Sequence, residues 1–170
     1  MSNLILDMQP LSRLRRNHGL EHATINVLNE KFKGIKLGGM STPFGFTIMA
    51  DLPTEVVAEG AIEALKRLRT GEAKLAMHPD CGTNYAMSGA VVGTIAWLGT
   101  LGSGKEFKHK LERLPLIIML ATISLILTRP LGPLMQKHIT TASDPGNLEL
   151  ERVETVVRAG MRMHRILTRG

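Results

Sequence analysis

Two histidines four positions apart are the first feature of this 170-residue chain with chemical potential. They lie in Asn17-His18-Gly19-Leu20-Glu21-His22. On a helix, residues four apart share a face, so His18 and His22 point their imidazoles the same way. Such a pair can give two nitrogens to one metal ion without bending the helix. Glu21, three residues after His18, borders that face. The order H-x-x-E-H is also that of the inverted zinc hydrolases, in which the carboxylate activates metal-bound water. The plainer alternative is two helix histidines in ordinary hydrogen bonds, with Glu21 paired to Arg13, Arg16 or His18.

A second cluster follows at His78-Pro79-Asp80-Cys81-Gly82-Thr83-Asn84. Pro and Gly make a tight loop that can turn His78 and Cys81 to one point, and zinc accepts imidazole and thiolate alike. Alone, Cys81 reads as a small buried hydrophobe and His78 as a loop hydrogen bonder. Together, the clusters point to a shared Zn²⁺ site, or one for another divalent transition metal, with His18, His22, His78 and Cys81 as ligands. Two versions are open. With four ligands the site is closed and structural or sensing, and Glu21 orients a histidine. With three, a bound water is acidified and Glu21 is the general base of a hydrolase. His109, His138 and His164 have no such company.

Composition narrows the partners. Lys and Arg number 21 against 15 Asp and Glu, a net charge of +6, which suits anionic partners such as a membrane surface. Aromatic residues make up only 4%, the basic residues are scattered and no recognition motif appears, so nucleic acid is excluded as a partner. The single cysteine excludes an internal disulfide and any Cys-x-x-Cys pair. A hydrophobic share of 44% excludes a disordered chain.

The elements that must position these residues come in three groups. The spacing predicts a helix from about Leu11 to Lys33. A short hairpin follows, with Gly38-Gly39 as turn and Phe44 to Ala50 as strand. A helix opened by Pro53 carries Val57, Ala61, Leu65 and Leu68 on one face and closes near Gly71. From Cys81 to Gly104, 24 residues pass without a charge, and Leu114 to Thr128 adds 15 more. The dense part of the first, Ala86–Leu101, and the second run, joined by the polar 12-residue linker GSGKEFKHKLER, read as a transmembrane helical hairpin. Its spans cover about 85–102 and 112–130, and Arg113 and Arg129 snorkel at the ends of the second. Gly89 and Gly93 form part of a small-xxx-small stripe that serves the hairpin or a homo-oligomer. Asn147 caps a final amphipathic helix to about Leu167, with Leu150, Val153, Val157, Met161 and His164 as its apolar stripe. Arg158, Arg162, Arg165 and Arg169 line another stripe, read as a solvated face or as a contact for anionic lipid.

Three blocks then resemble one family. HGLEHATIN, HPDCGTNYAMSG, and Gly132 to Thr141 followed by Asp144-Pro145 and Leu148-Glu149 occur in the order seen in the YqhQ-like bacterial membrane proteins. The blocks span about Arg16 to Val157. That resemblance implies a membrane-embedded metal protein, described only as a predicted metal-dependent enzyme, with no known substrate. His18, Glu21, His22, His78, Cys81, Gly82 and Thr83 match its motif positions. Ala23 stands where the family has Lys, and the stretch between the first two blocks is longer here, as in a divergent member.

The resulting expectation is an α-rich integral membrane protein. A small α+β headpiece (1–84) carries the metal site, a two-span hairpin occupies 85–131, and a C-terminal amphipathic helix lies in 132–170. It is multi-pass in the cell membrane with cytoplasmic termini, its partners being the bilayer and anionic lipid. The expected activity is zinc-dependent hydrolysis with Glu21 as the catalytic residue; the alternative is a non-enzymatic closed zinc site.

Overall fold

The computed structural model describes residues 6–102, 106–158 and 160–170, without the side chain of Arg158. Helix α1 covers Leu11–Lys31. Strand β1 (Gly38–Thr42) pairs antiparallel with β2 (Gly45–Met49), and α2 follows over Thr54–Arg69. Pro53 precedes α2, where a missing backbone N–H costs nothing. Val57, Ala61, Leu65 and Leu68 of α2 are buried, as their spacing requires. Gly38 and Gly39, expected in the turn, lie within β1. The turn stands at Pro43-Phe44, where the Thr42 hydroxyl donates to the Gly45 carbonyl (3.1 Å) and accepts from the Phe44 amide (3.3 Å).

The C-terminal segment corrects the expected amphipathic helix. It forms β3 (Glu149–Arg158) and β4 (Met161–Arg169), with Gly160 at φ +77 in the turn. The four strands make one antiparallel sheet in the order β1-β2-β4-β3. His164, Ile166 and Thr168 are buried in alternation along β4, the period of a half-buried strand. Among the described side chains of the expected arginine stripe, Arg165 and Arg169 share one face of β4 and Arg162 takes the other. The side chain of Arg158 lies outside the described residues.

The chain divides into two compact units, Met1–His78 with Lys137–Gly170, and Pro79–Gln136. In the first, α1 and α2 bury one side against the sheet. Leu20, Leu28, Phe46, Ile48, Val57 and Ile166 are at most 2% exposed. A Cβ on Gly60 of α2 would stand 2.8 Å from Leu28, so the bare glycine sets how closely the two helices cross.

The second unit holds α3 (Gly82–Thr100), α4 (Phe107–Leu127) and the short α5 (Leu131–Met135). Gly99 of α3 seats the Ile117 side chain, and Arg113 donates to the Leu101 carbonyl (2.7 Å) at the end of α3. This unit corrects the expected membrane hairpin. No single helix among the described residues is long and apolar enough to cross a membrane. The run in α3 is diluted by Asn84, Tyr85, Ser88 and Thr94. Helix α4 starts inside the expected linker, so Lys108, Lys110, Glu112 and Arg113 belong to it, and Pro115 lies inside it. Its uncharged stretch from Leu114 to Leu127 reaches about 21 Å against the ~30 Å hydrocarbon core. The fold is α+β, and the reading of a multi-pass integral membrane protein falls with its spans. Residues 103–105 of the expected linker lie outside the described residues.

Candidate metal centre

The motif on α1 folds so that each of its residues meets a different element of the first unit. Asn17 donates to the Thr42 carbonyl (3.0 Å) and accepts from the Thr168 hydroxyl (2.8 Å), fixing α1 against the sheet. Leu20 is fully buried in the core. Gly19 lies under the chain at Ala142, where any Cβ would collide with the Ala142 carbonyl oxygen. Glu21 turns toward β1, and its carboxylate accepts a hydrogen bond from the Ser41 hydroxyl. That leaves His18 and His22 on the remaining face.

Both imidazoles meet a main-chain carbonyl through Nδ1. His18 Nδ1 stands 2.9 Å from the Thr140 oxygen, and His22 Nδ1 stands 2.9 Å from the Ala76 oxygen. A carbonyl oxygen only accepts, so Nδ1 must carry the proton in each ring. In the neutral ring, Nε2 is then the basic nitrogen, bearing the lone pair. The ring centroids lie 4.4 Å apart, and ligand nitrogens of the two rings lie within 4.8 Å of one another. His22 is almost fully buried and His18 is half-buried.

His78 joins them through its own approach. Asn26, one turn beyond His22, donates to the carbonyls of Leu75 (2.9 Å) and Met77 (3.0 Å). With Ala76 taken by His22, three successive carbonyls dock on one stripe of α1. A 3-10 turn over Ala73–Ala76 shapes this segment, and His78 follows it with its ring 5.8 Å from that of His22. The Thr140 side is clamped likewise. Arg15 donates to the carbonyls of Ile139 (2.6 Å) and Thr141 (3.3 Å), and its own carbonyl accepts from the Ala142 amide (2.9 Å). A π-helical turn over Gln136–Thr140 precedes this point.

The first unit therefore brings together His18, His22 and His78 of the expected ligand set. Glu21 lies on the same helix with its carboxylate turned to β1. Cys81 belongs to the second unit, buried, at the position before α3. Nearby, Asn84 donates to the Pro79 carbonyl (2.6 Å) and accepts from Gln136 (2.6 Å), which holds the loop bearing Cys81. His164 lies elsewhere, buried in the sheet, where its Nε2 stands 3.3 Å from the Ala50 oxygen. None of Asn26, Ser41, Thr140 and Arg15 was expected at the site, although Asn26 and Thr140 lie within the HGLEHATIN and Gly132 to Thr141 blocks. Asn26 also continues the four-residue spacing of His18 and His22.

Comparison with known proteins adds a family without a function. Residues 13–153 match a family described as a domain of unknown function, DUF6391. An uncharacterized protein of Picosynechococcus sp. (strain ATCC 27264 / PCC 7002 / PR-6) is 32% identical over 160 residues, covering 86% of this chain and 74% of that protein. Neither description carries the YqhQ-like name, so that resemblance rests on its three blocks of residues. No solved structure matches the chain.

Proposed function

The chain belongs to the DUF6391 family, and we propose that it is a transition-metal protein whose centre is built on Nε2 of His18 and His22. The observation that carries this reading is the paired Nδ1–carbonyl contact, at Thr140 and Ala76. A ligating histidine characteristically gives its other N–H to a carbonyl or carboxylate, which fixes the tautomer and aims the lone pair. Two histidines on one helix face, both fixed in that tautomer, make a donor set suited to Zn²⁺ and its neighbours. His78 is the third donor of the proposal. Cys81 is the fourth, assigned on its spacing: three residues of chain keep it within about 10 Å of His78.

A hydrolytic role is the second reading, favoured by the half-buried His18, which leaves the centre an approach from solvent. A zinc ion at such a position supplies an acidified water. Glu21, whose carboxylate accepts from the Ser41 hydroxyl, is the residue to accept its proton.

Elemental analysis of the purified full chain tests the metal. One zinc per chain is expected, with loss of binding in His22→Ala and near-native circular dichroism. No stoichiometric transition metal, or equal metal in His22→Ala, overturns the proposal. Cobalt substitution then separates the two forms of the centre. A thiolate charge-transfer band lost in Cys81→Ser marks a thiolate-ligated centre. Its absence, with cobalt still bound, leaves three imidazoles and an open position.

A further inference from the structure

A cavity of about 510 Å³ lies in the first unit between α2 and the start of β3, and none of the histidines lines it. That volume falls in the range of small-molecule sites. Ile62, Leu65, Lys66 and Arg69 line it as one stripe of α2, at helical spacing. Glu149 and Leu150 of β3 line it as well. Its floor is apolar: Leu65 is buried and Leu150 packs against the core. Ile62 on the same stripe is 60% exposed, which leaves a large apolar side chain at the mouth.

The charges around this cavity are unequal. Arg67 sits in the same turn of α2, outside the cavity, and is held by Glu30 and Glu72. Lys66 and Arg69, which line it, have no carboxylate partner among the described residues. The carboxylate on the wall, that of Glu149, is taken by Arg169, which donates to Oε2 twice (3.0 and 2.8 Å). Arg69 donates through Nη2 to the Leu148 carbonyl (2.8 Å), and this bond fixes the guanidinium where it stands. Basic residues near a helix C-terminus complement its dipole. That effect serves Lys66, Arg67 and Arg69 alike, and does not explain why only the one outside the cavity is neutralised.

We propose that this cavity binds a small amphiphilic anion, a carboxylate on a medium-length apolar body. The body covers Ile62, Leu65 and Leu150, and the head meets the charged donors of Lys66 and Arg69. The proposal is independent of the metal reading.

The test is calorimetric titration of the full chain with decanoate, and with decyltrimethylammonium, which has the same tail and the opposite charge. Decanoate is expected to bind at one saturable site and the cation not to bind. Lys66→Glu should weaken decanoate by at least about 10-fold, the scale of one lost charge-assisted hydrogen bond. Ile62→Glu, which sets a carboxylate at the mouth, should abolish binding. Both side chains are exposed, so circular dichroism should stay that of wild type. Arg67→Gln, outside the cavity, and His22→Ala, at the metal centre, should bind decanoate as wild type does. No saturable binding of decanoate overturns the proposal. Equal uptake of the cation, or unchanged binding in Lys66→Glu, also overturns it, because the tail then rests on apolar side chains elsewhere. Loss of binding in His22→Ala overturns it too, since the carboxylate is then held at the metal centre.

Discussion

The two units treat apolar side chains in opposite ways. In the first, Leu20, Leu28, Ile48 and Ile166 are buried around a polar face that carries the histidines. In the second, α3 has no buried residue among those described and α4 buries only Ser124. Trp97, Phe107, Leu116, Ile118 and Leu127 are each more than half exposed. Hydrophobicity alone therefore does not mark the core of this chain. What marks it is apolar periodicity combined with polar residues that have main-chain partners, such as Asn17, Asn26 and the two histidines.

The strongest way to break that comparison is to truncate matched side chains in each unit. Phe46→Ala should lower unfolding stability by about 3–5 kcal/mol, the usual cost of emptying a buried aromatic site. Ile118→Ala on α4, where the side chain is 56% exposed, should stay within about 0.5 kcal/mol. Urea unfolding of both variants measures this. A large loss at Ile118 would mean that the α4 face is covered in solution.

Helical glycines give a smaller contrast of opposite sign. Gly19→Ala forces a methyl group against the Ala142 carbonyl and should cost about 1–3 kcal/mol as overpacking. Gly89 of α3 has no neighbour within 4 Å of a built Cβ. Gly89→Ala should therefore stabilise that helix by roughly 0.5–1 kcal/mol through propensity. Thermal unfolding of the two variants should move in opposite directions.

The smallest effect lies on the surface of the first unit. Arg67 donates to Glu30 (2.6 Å) and to Glu72 (2.7 Å). The hydrogen bond from Arg67 holds the Glu72 carboxyl below its ordinary range. A depressed carboxylate adds stability above its unfolded value, and that gain is lost as pH falls through the folded value. Wild type should therefore exceed Arg67→Met slightly at neutral pH, and the gap should close well below about pH 4. Denaturant midpoints at the two pH values check it; a gap that persists in acid points to lost packing of the arginine stem.

Helices α1 and α2 were legible because their apolar residues repeat at helical spacing over many turns. Strand β4 was not. Its core-facing positions are His164, Ile166 and Thr168, and the two polar members hid the alternation. Meanwhile Leu150, Val153, Val157 and Met161 happen to satisfy helical spacing. The second unit was misread because a charge-free count ignores where a helix begins, and α4 begins early enough to take in four charged residues. The histidine motif was visible at once. Its Ala76 and Thr140 partners were not, because they act through main-chain oxygens that every residue possesses. Gly39 was visible but misplaced, since a glycine that makes room for the Glu21 carboxylate resembles one that turns a hairpin.

The order of strands has a consequence in time. Strand β2 ends at Met49, and its neighbour β4 begins at Met161. At about 5–20 residues per second, a ribosome takes on the order of ten seconds to cover that gap. Through that interval β2 pairs with β1 on one side only, and its other edge is an open template for foreign strands. The histidine on α1 that leans on Thr140 waits as well. A nascent chain of this protein thus acquires its first helices early and closes its sheet only when the last strand emerges.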